Sequence, residues 1–73
     1  MEITWTNCAE QMPPDDDREI LIQRVVDDSS IFALKGELIR TPANEIWFDI
    51  DKNKLNHWEW VLCTPEIWEE LNK

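Results

Sequence analysis

The chain has 73 residues, 42% of them hydrophobic, and 7 basic against 16 acidic residues leave a net charge of -9. So short a chain makes one domain with one small core. The acidic balance argues against a ligand held through its phosphates, since nucleic-acid affinity comes largely from Lys and Arg, and no apolar run reaches the roughly 18 residues of a membrane span.

The opening residues Met1-Glu2-Ile3-Thr4-Trp5 lack the basic start and long apolar stretch of a secretory leader. Cys8 and Cys63 are too few and too far apart for a disulfide-stapled scaffold, and no Asn-x-Ser/Thr sequon occurs. The expectation is a single domain over 1–73, cytoplasmic, with both thiols free and a single Cys8–Cys63 bridge as the alternative.

In chain order, Ile3-Thr4-Trp5 alternates as a short strand does. Pro13-Pro14 and Asp15-Asp16-Asp17 break regular structure and predict a turn. The run from Ile20 to Val26 is rich in β-branched residues and dense in apolar ones, which is how a strand buried on both faces reads. A turn over Asp27-Asp28-Ser29-Ser30 follows. Ile31–Leu34 and Glu37–Arg40 flank Lys35-Gly36 and predict a tight hairpin, with a bulged single strand as the alternative. Thr41-Pro42-Ala43-Asn44 interrupts the pattern. Glu45–Asp51 alternates, with Ile46, Phe48 and Ile50 on one face of an expected strand. Asp51–Lys54 reads as a polar turn and Leu55–Leu62 as the last strand. Thr64 is a good N-cap, Pro65 suits the first helical position and Glu66 complements the helix dipole. Ile67, Trp68 and Leu71 then share one helical face, leaving Glu69 and Glu70 outside. A helix this short cannot persist alone in water and must dock. The expected fold is α+β: a small antiparallel β-meander of four to five strands with a short C-terminal helix packed on it. Its core should include Ile20 and Ile22.

The order Trp5, Met12-Pro13-Pro14, the apolar strand Ile20-Leu21-Ile22, Trp47, Asn56-His57-Trp58 and Pro65 resembles the small phage- and prophage-encoded proteins grouped as domain-of-unknown-function family 551. The resemblance spans nearly the whole chain, and it implies that Trp5, Trp47 and Trp58 fill the core. Its motifs are short, the Met-Pro-to-strand step and the His-Trp pair being the specific ones. Asn56 stands where that family has Thr. Glu59-Trp60-Val61-Leu62 prolongs the strand where the family turns to a proline-rich tail. The resemblance implies a phage origin, hence the cytoplasm of a bacterial host, and no established activity or catalytic residue.

The chemistry-bearing residues are sparse. His57 is the only histidine. A Cys–His nucleophile would need it beside Cys8 or Cys63. Strand spacing separates it from Cys63 and leaves Cys8 open. Zinc has no Cys-x-x-Cys or His pair to use. Asp49-Ile50-Asp51-Lys52-Asn53 starts like a calcium loop, but Lys54 stands for the required Gly and Trp60 for the closing Glu. Gly36, the only glycine, cannot build a phosphate loop. No catalytic residue, metal or cofactor is expected, and the protein is expected not to be an enzyme.

Trp60 and Trp68 lie where the chain departs from the family. One of them, left partly exposed, would anchor a partner. With Glu66, Glu69, Glu70 and Asp15, Asp16, Asp17 they make the expected partner-binding set. The leading function is a small acidic phage-type protein acting non-enzymatically, as an inhibitor or modulator, on a host or phage protein with a basic surface. The alternative is an acidic nucleic-acid mimic that blocks a defence enzyme, and the remote one a small-ligand binder or enzyme around His57.

Overall fold

Everything else is laid on one strand, β2 (Glu19–Arg24). A computed structural model describes residues 1–27 and 33–73. In it β2 pairs antiparallel with β3 (Leu38–Pro42) on one side and β4 (Trp58–Leu62) on the other. A two-residue β1 (Thr6–Asn7) pairs with the far edge of β4. The strand order is β1-β4-β2-β3. The α+β class, the antiparallel sheet and the terminal helix match expectation. The strands do not follow one another in meander order, because β4 returns between β1 and β2.

Partners across the ladder share a face, and the registers therefore sort the side chains. Ile20 and Ile22 of β2 point with Trp58 and Trp60 of β4 and Ile39 of β3 to one face. There they pack with Cys8, Ala33, Ala43, Ile46 and Ile50 as the core. Leu21 points the other way, beside Arg40 and Val61, yet is fully buried. The Arg40 guanidinium lies over the Trp68 ring, 4.8 Å from its centroid. That places α2 (Pro65–Leu71) on the second face and explains why β2 is apolar on both sides. Thr64 caps α2, its Oγ accepting from the Ile67 backbone N–H at 3.2 Å. No residue of α2 is fully buried: Ile67 and Trp68 are half-covered and Leu71 is exposed.

Three expectations are corrected. Glu45–Asp51 is not a strand but a 3-10 turn, Ala43–Glu45, running into the short helix α1, Ile46–Asp49. The buried residues are Ala43, Ile46 and Ile50, spaced by three and four as one helical face requires. Trp47 therefore leaves the core and Phe48 turns outward. Leu55–His57 is also not strand: Lys52–His57 forms 3-10 turns, opened by Asp51, whose Oδ1 accepts from the Asn53 backbone N–H at 2.9 Å. The first strand is Thr6–Asn7 rather than Ile3–Trp5, and Trp5 is only half-buried, outside the core.

The expected turn at Asp27–Ser30 and strand start at Ile31-Phe32 fall largely outside the described residues. The tight turn at Lys35-Gly36 does form: Glu37 N–H donates to the Leu34 carbonyl at 2.9 Å, and Gly36 takes φ 80°, as the third position of a type II turn requires. The strand beyond it pairs with β2 and not with Ala33-Leu34, which are not strand, so the turn does not close the expected hairpin.

Candidate protein-docking site

Helix α1 is held from beneath. Ile46 and Ile50 enter the core, and the Ile50 N–H closes the turn on the Ile46 carbonyl at 3.1 Å. In front of it, the Ala43 N–H donates to the Arg18 carbonyl at 2.7 Å and the Asn44 N–H to the Asp16 carbonyl at 2.9 Å. A helical turn anchored at 43, 46 and 50 must aim 47 and 48 away from the core. Phe48 is accordingly 87% exposed and Trp47 37%. Trp47 walls a cleft of about 200 Å³ completed by Met12, Ile50, Lys52 and Leu55. Glu45, Asp49 and Asp51, neighbours of the two rings in sequence, are exposed as well. Two exposed aromatics beside a largely apolar cleft that also holds Lys52, with carboxylates adjacent in sequence, form a surface suited to hold a protein.

The residues expected to bind a partner are scattered by comparison. Trp60 is only 8% exposed, and its indole N–H donates to the Gln11 carbonyl at 2.8 Å. It is a core residue, and Trp68 is the partly exposed one of the pair. Glu66 and Glu69 are exposed on α2. Glu70 lies 3.0 Å from the Lys73 ammonium and 3.8 Å from the N-terminal amine. Asp15 and Asp17 are exposed, whereas Asp16 both caps the Arg18 N–H at 3.0 Å and pairs with the Arg18 guanidinium at 2.9 Å. The Asp15–Asp17 bend and the start of α2 sit at the same end of the sheet, since the Cys63 N–H donates to the Glu19 carbonyl at 3.1 Å. Of the expected core, Ile20, Ile22 and Trp58 are buried. The sequence reasoning missed Phe48 as a surface residue. The signal was Ala43, whose spacing to Ile46 and Ile50 marks a helix.

Phe48→Ala should change folding stability by less than about 0.5 kcal/mol, as surface substitutions do. Equilibrium urea unfolding of the variant measures this.

The cysteines do not meet. The Cys8 N–H donates to the Trp58 carbonyl at 2.9 Å, so Cys63 lies five places further along β4, about 17 Å away at strand rise. Both are free thiols. Burial, reinforced by Glu59, pushes the Cys8 thiol from 9.0 up to about 12. An attacking cysteine needs the opposite shift, so Cys8 is no partner for a His57-based nucleophile. Nor does His57 line the cleft described above or a second one of about 230 Å³ formed by Arg40, Cys63, Thr64, Pro65 and Trp68. Among the described residues, no three His, Cys, Asp or Glu side chains gather as a metal site would need.

A thiol reagent on the native protein should titrate Cys63 readily and Cys8 only after denaturant is added. The raised Cys8 value also sets a pH dependence. Below pH 9 both folded and unfolded chains keep the proton, and the full stability is present. Between pH 9 and about pH 12 only the unfolded chain loses it, so stability falls by about 1.4 kcal/mol per pH unit. Cys8→Ala should flatten that alkaline slope in urea titrations.

No family model, curated protein or solved structure matches this chain.

Proposed function

We propose that this protein is a non-enzymatic binding module that acts by seating its Trp47–Phe48 surface on a host or phage protein. The observation that carries the reading is Phe48, 87% exposed on a helix whose other side is locked into the core. Exposing that ring is unfavourable for an isolated domain, and the fold gives it no packing role. The sequence-adjacent Glu45, Asp49 and Asp51, within a chain of net charge -9, select a basic, partly apolar partner surface. Charge would speed encounter and the rings would hold the complex. The phage setting rests on the sequence resemblance alone. The exposed glutamates of α2 form a second acidic surface that would steer rather than anchor.

The nucleic-acid-mimic reading draws on the acidic bend at Asp15–Asp17. Arg18 neutralises part of that bend through Asp16, and Arg40 likewise pairs with Glu19 at 2.6 Å. Alternating ion pairs imitate a phosphate row less well than bare carboxylates do, so the docking reading is preferred.

The test is affinity capture from bacterial lysate, with and without phage infection, using the tagged protein and a Trp47→Ala/Phe48→Ala variant. A partner retained by the parent should fall at least about tenfold with the variant, since aromatic hot spots contribute more than about 1.4 kcal/mol. Equal retention by both would refute the assignment. A Glu66→Lys/Glu69→Lys variant serves as contrast, and should slow association while leaving the complex intact.

A further inference from the structure

We propose that β3 is a self-association edge, pairing antiparallel with β3 of a second copy so that two four-stranded sheets become one. The hydrogen-bond phase of the sheet carries the inference. The Ala43 N–H bonds the Arg18 carbonyl. Bonded pairs recur every second residue along an antiparallel ladder, so Thr41 and Ile39 direct their backbone groups at β2. On the other side of β2, the Cys63–Glu19 bond places Glu19, Leu21 and Gln23 toward β4, which is the same phase. Leu38 and Arg40 therefore direct their N–H and C=O groups away from the sheet, and no described residue bonds them. The opposite edge, β1, is only two residues long. An unpaired row of donors and acceptors is a template for another strand.

The sequence of the edge selects both register and occupant. A two-fold axis at Arg40 would set Leu38 against Pro42, which has no N–H, and Arg40 against its own copy. A two-fold axis at Ile39 avoids both faults. Each Leu38 then faces Arg40 of the other copy and exchanges both bonds with it, and the two Ile39 side chains meet. Leu38-Ile39-Arg40-Thr41-Pro42 carries one cation and no carboxylate, in a chain of net charge -9. Arg40 is paired with Glu19, so the edge is close to neutral and opposes a second acidic copy little. Pro42 limits the pairing to a short segment, so the dimer is weak and concentration-dependent. The inference does not rest on the Trp47–Phe48 site, which lies on a different element.

Sedimentation velocity from about 20 µM to about 1 mM should show the mass rising from one chain toward two, a span suited to a weak complex. Raising salt should strengthen the association, because it screens the repulsion between like-charged bodies. Over the same range the Leu38 and Arg40 amides should exchange with solvent at least about fivefold more slowly, while Ile39 and Thr41, already bonded to β2, should not change. Leu38→Pro removes one outward donor and no bond of the β2–β3 ladder. It should melt cooperatively and stay monomeric. A single-chain mass at 1 mM would overturn the proposal. So would a dimer in which the Leu38 and Arg40 amides keep their dilute-solution rates, or one that survives in a folded Leu38→Pro variant. Should that variant fail to fold, the parent protein's amide rates decide alone.

Discussion

Replacing Trp58 with alanine should abolish the fold under ordinary conditions. Trp58 is 0% exposed and is the largest fully buried side chain of the domain. It packs with Ile20, Ile22, Ile46 and Cys8, and its carbonyl receives the Cys8 N–H that joins β1 to β4. Its ring also lies 5.7 Å beneath the Arg24 guanidinium. Truncating a buried Trp to Ala removes its transfer energy and leaves a cavity, together about 3–5 kcal/mol. A domain of 73 residues has about 4–11 kcal/mol of stability in all, at roughly 0.05–0.15 kcal/mol per residue. The loss therefore takes a large part of the total and can take all of it. Urea unfolding followed by far-UV circular dichroism is the measurement. The expected result is a midpoint near zero denaturant, and a folded variant losing under about 1 kcal/mol would contradict it. Trp47→Ala, by contrast, should leave the fold standing, because that ring is partly outside already.

The difference between these two tryptophans shows where the sequence was legible. Ile20-Leu21-Ile22 announced a strand covered on both faces, and the structure supplies both covers, the core below and α2 above. Thr64-Pro65-Glu66 announced a helix start, and the Thr64 hydroxyl caps it. Both signals are local. The stretch from 45 to 51 was ambiguous for a physical reason. Ile46 and Ile50 are four residues apart, a spacing that satisfies a period of 2 and nearly satisfies 3.6. Only residues outside the alternating run could decide. Ala43 completes the helical face, and its small side chain gave a weak apolar signal. Misreading that period set Phe48 on the face of Ile46 and Ile50, and the family resemblance put Trp47 in the core; together they hid the docking surface. The strand order was also not readable, because β4 reaches its place through pairings some forty residues apart in sequence. Nothing in the local pattern of Trp58–Leu62 tells it to lie between β1 and β2. Trp60 was misplaced for a related reason. Its burial follows from the Gln11 carbonyl that accepts its N–H, a contact across 49 positions.

Arg24 should prove nearly as costly to remove as Trp58. Among the described residues it is the one buried charged side chain, 2% exposed. It ends β2 and gathers the chain returning from residue 33 onward. Its Nη1 donates to the Ala33 carbonyl at 2.7 Å, its own carbonyl accepts the Gly36 N–H at 2.9 Å, and it bridges Lys35. A buried ionic group need not stabilise a fold, and a well-packed apolar residue can replace a buried pair at no loss when both partners go. Arg24 is different because the backbone is among its bonded partners. Substitution leaves the Ala33 carbonyl buried without that donor, which costs about 1–3 kcal/mol. Arg24→Met, which keeps most of the length, should cost about that much. Arg24→Ala adds the lost packing on Trp58 and should cost about 3–5 kcal/mol, the range for removing one member of a buried charged network. Arg24→Lys keeps the charge but loses the planar fork, and should lie close to Arg24→Met. Urea unfolding ranks the three, and amide exchange at Gly36, bonded to the Arg24 carbonyl, should accelerate in the same order. Arg24→Met as stable as the parent would show that the bond to Ala33 contributes nothing.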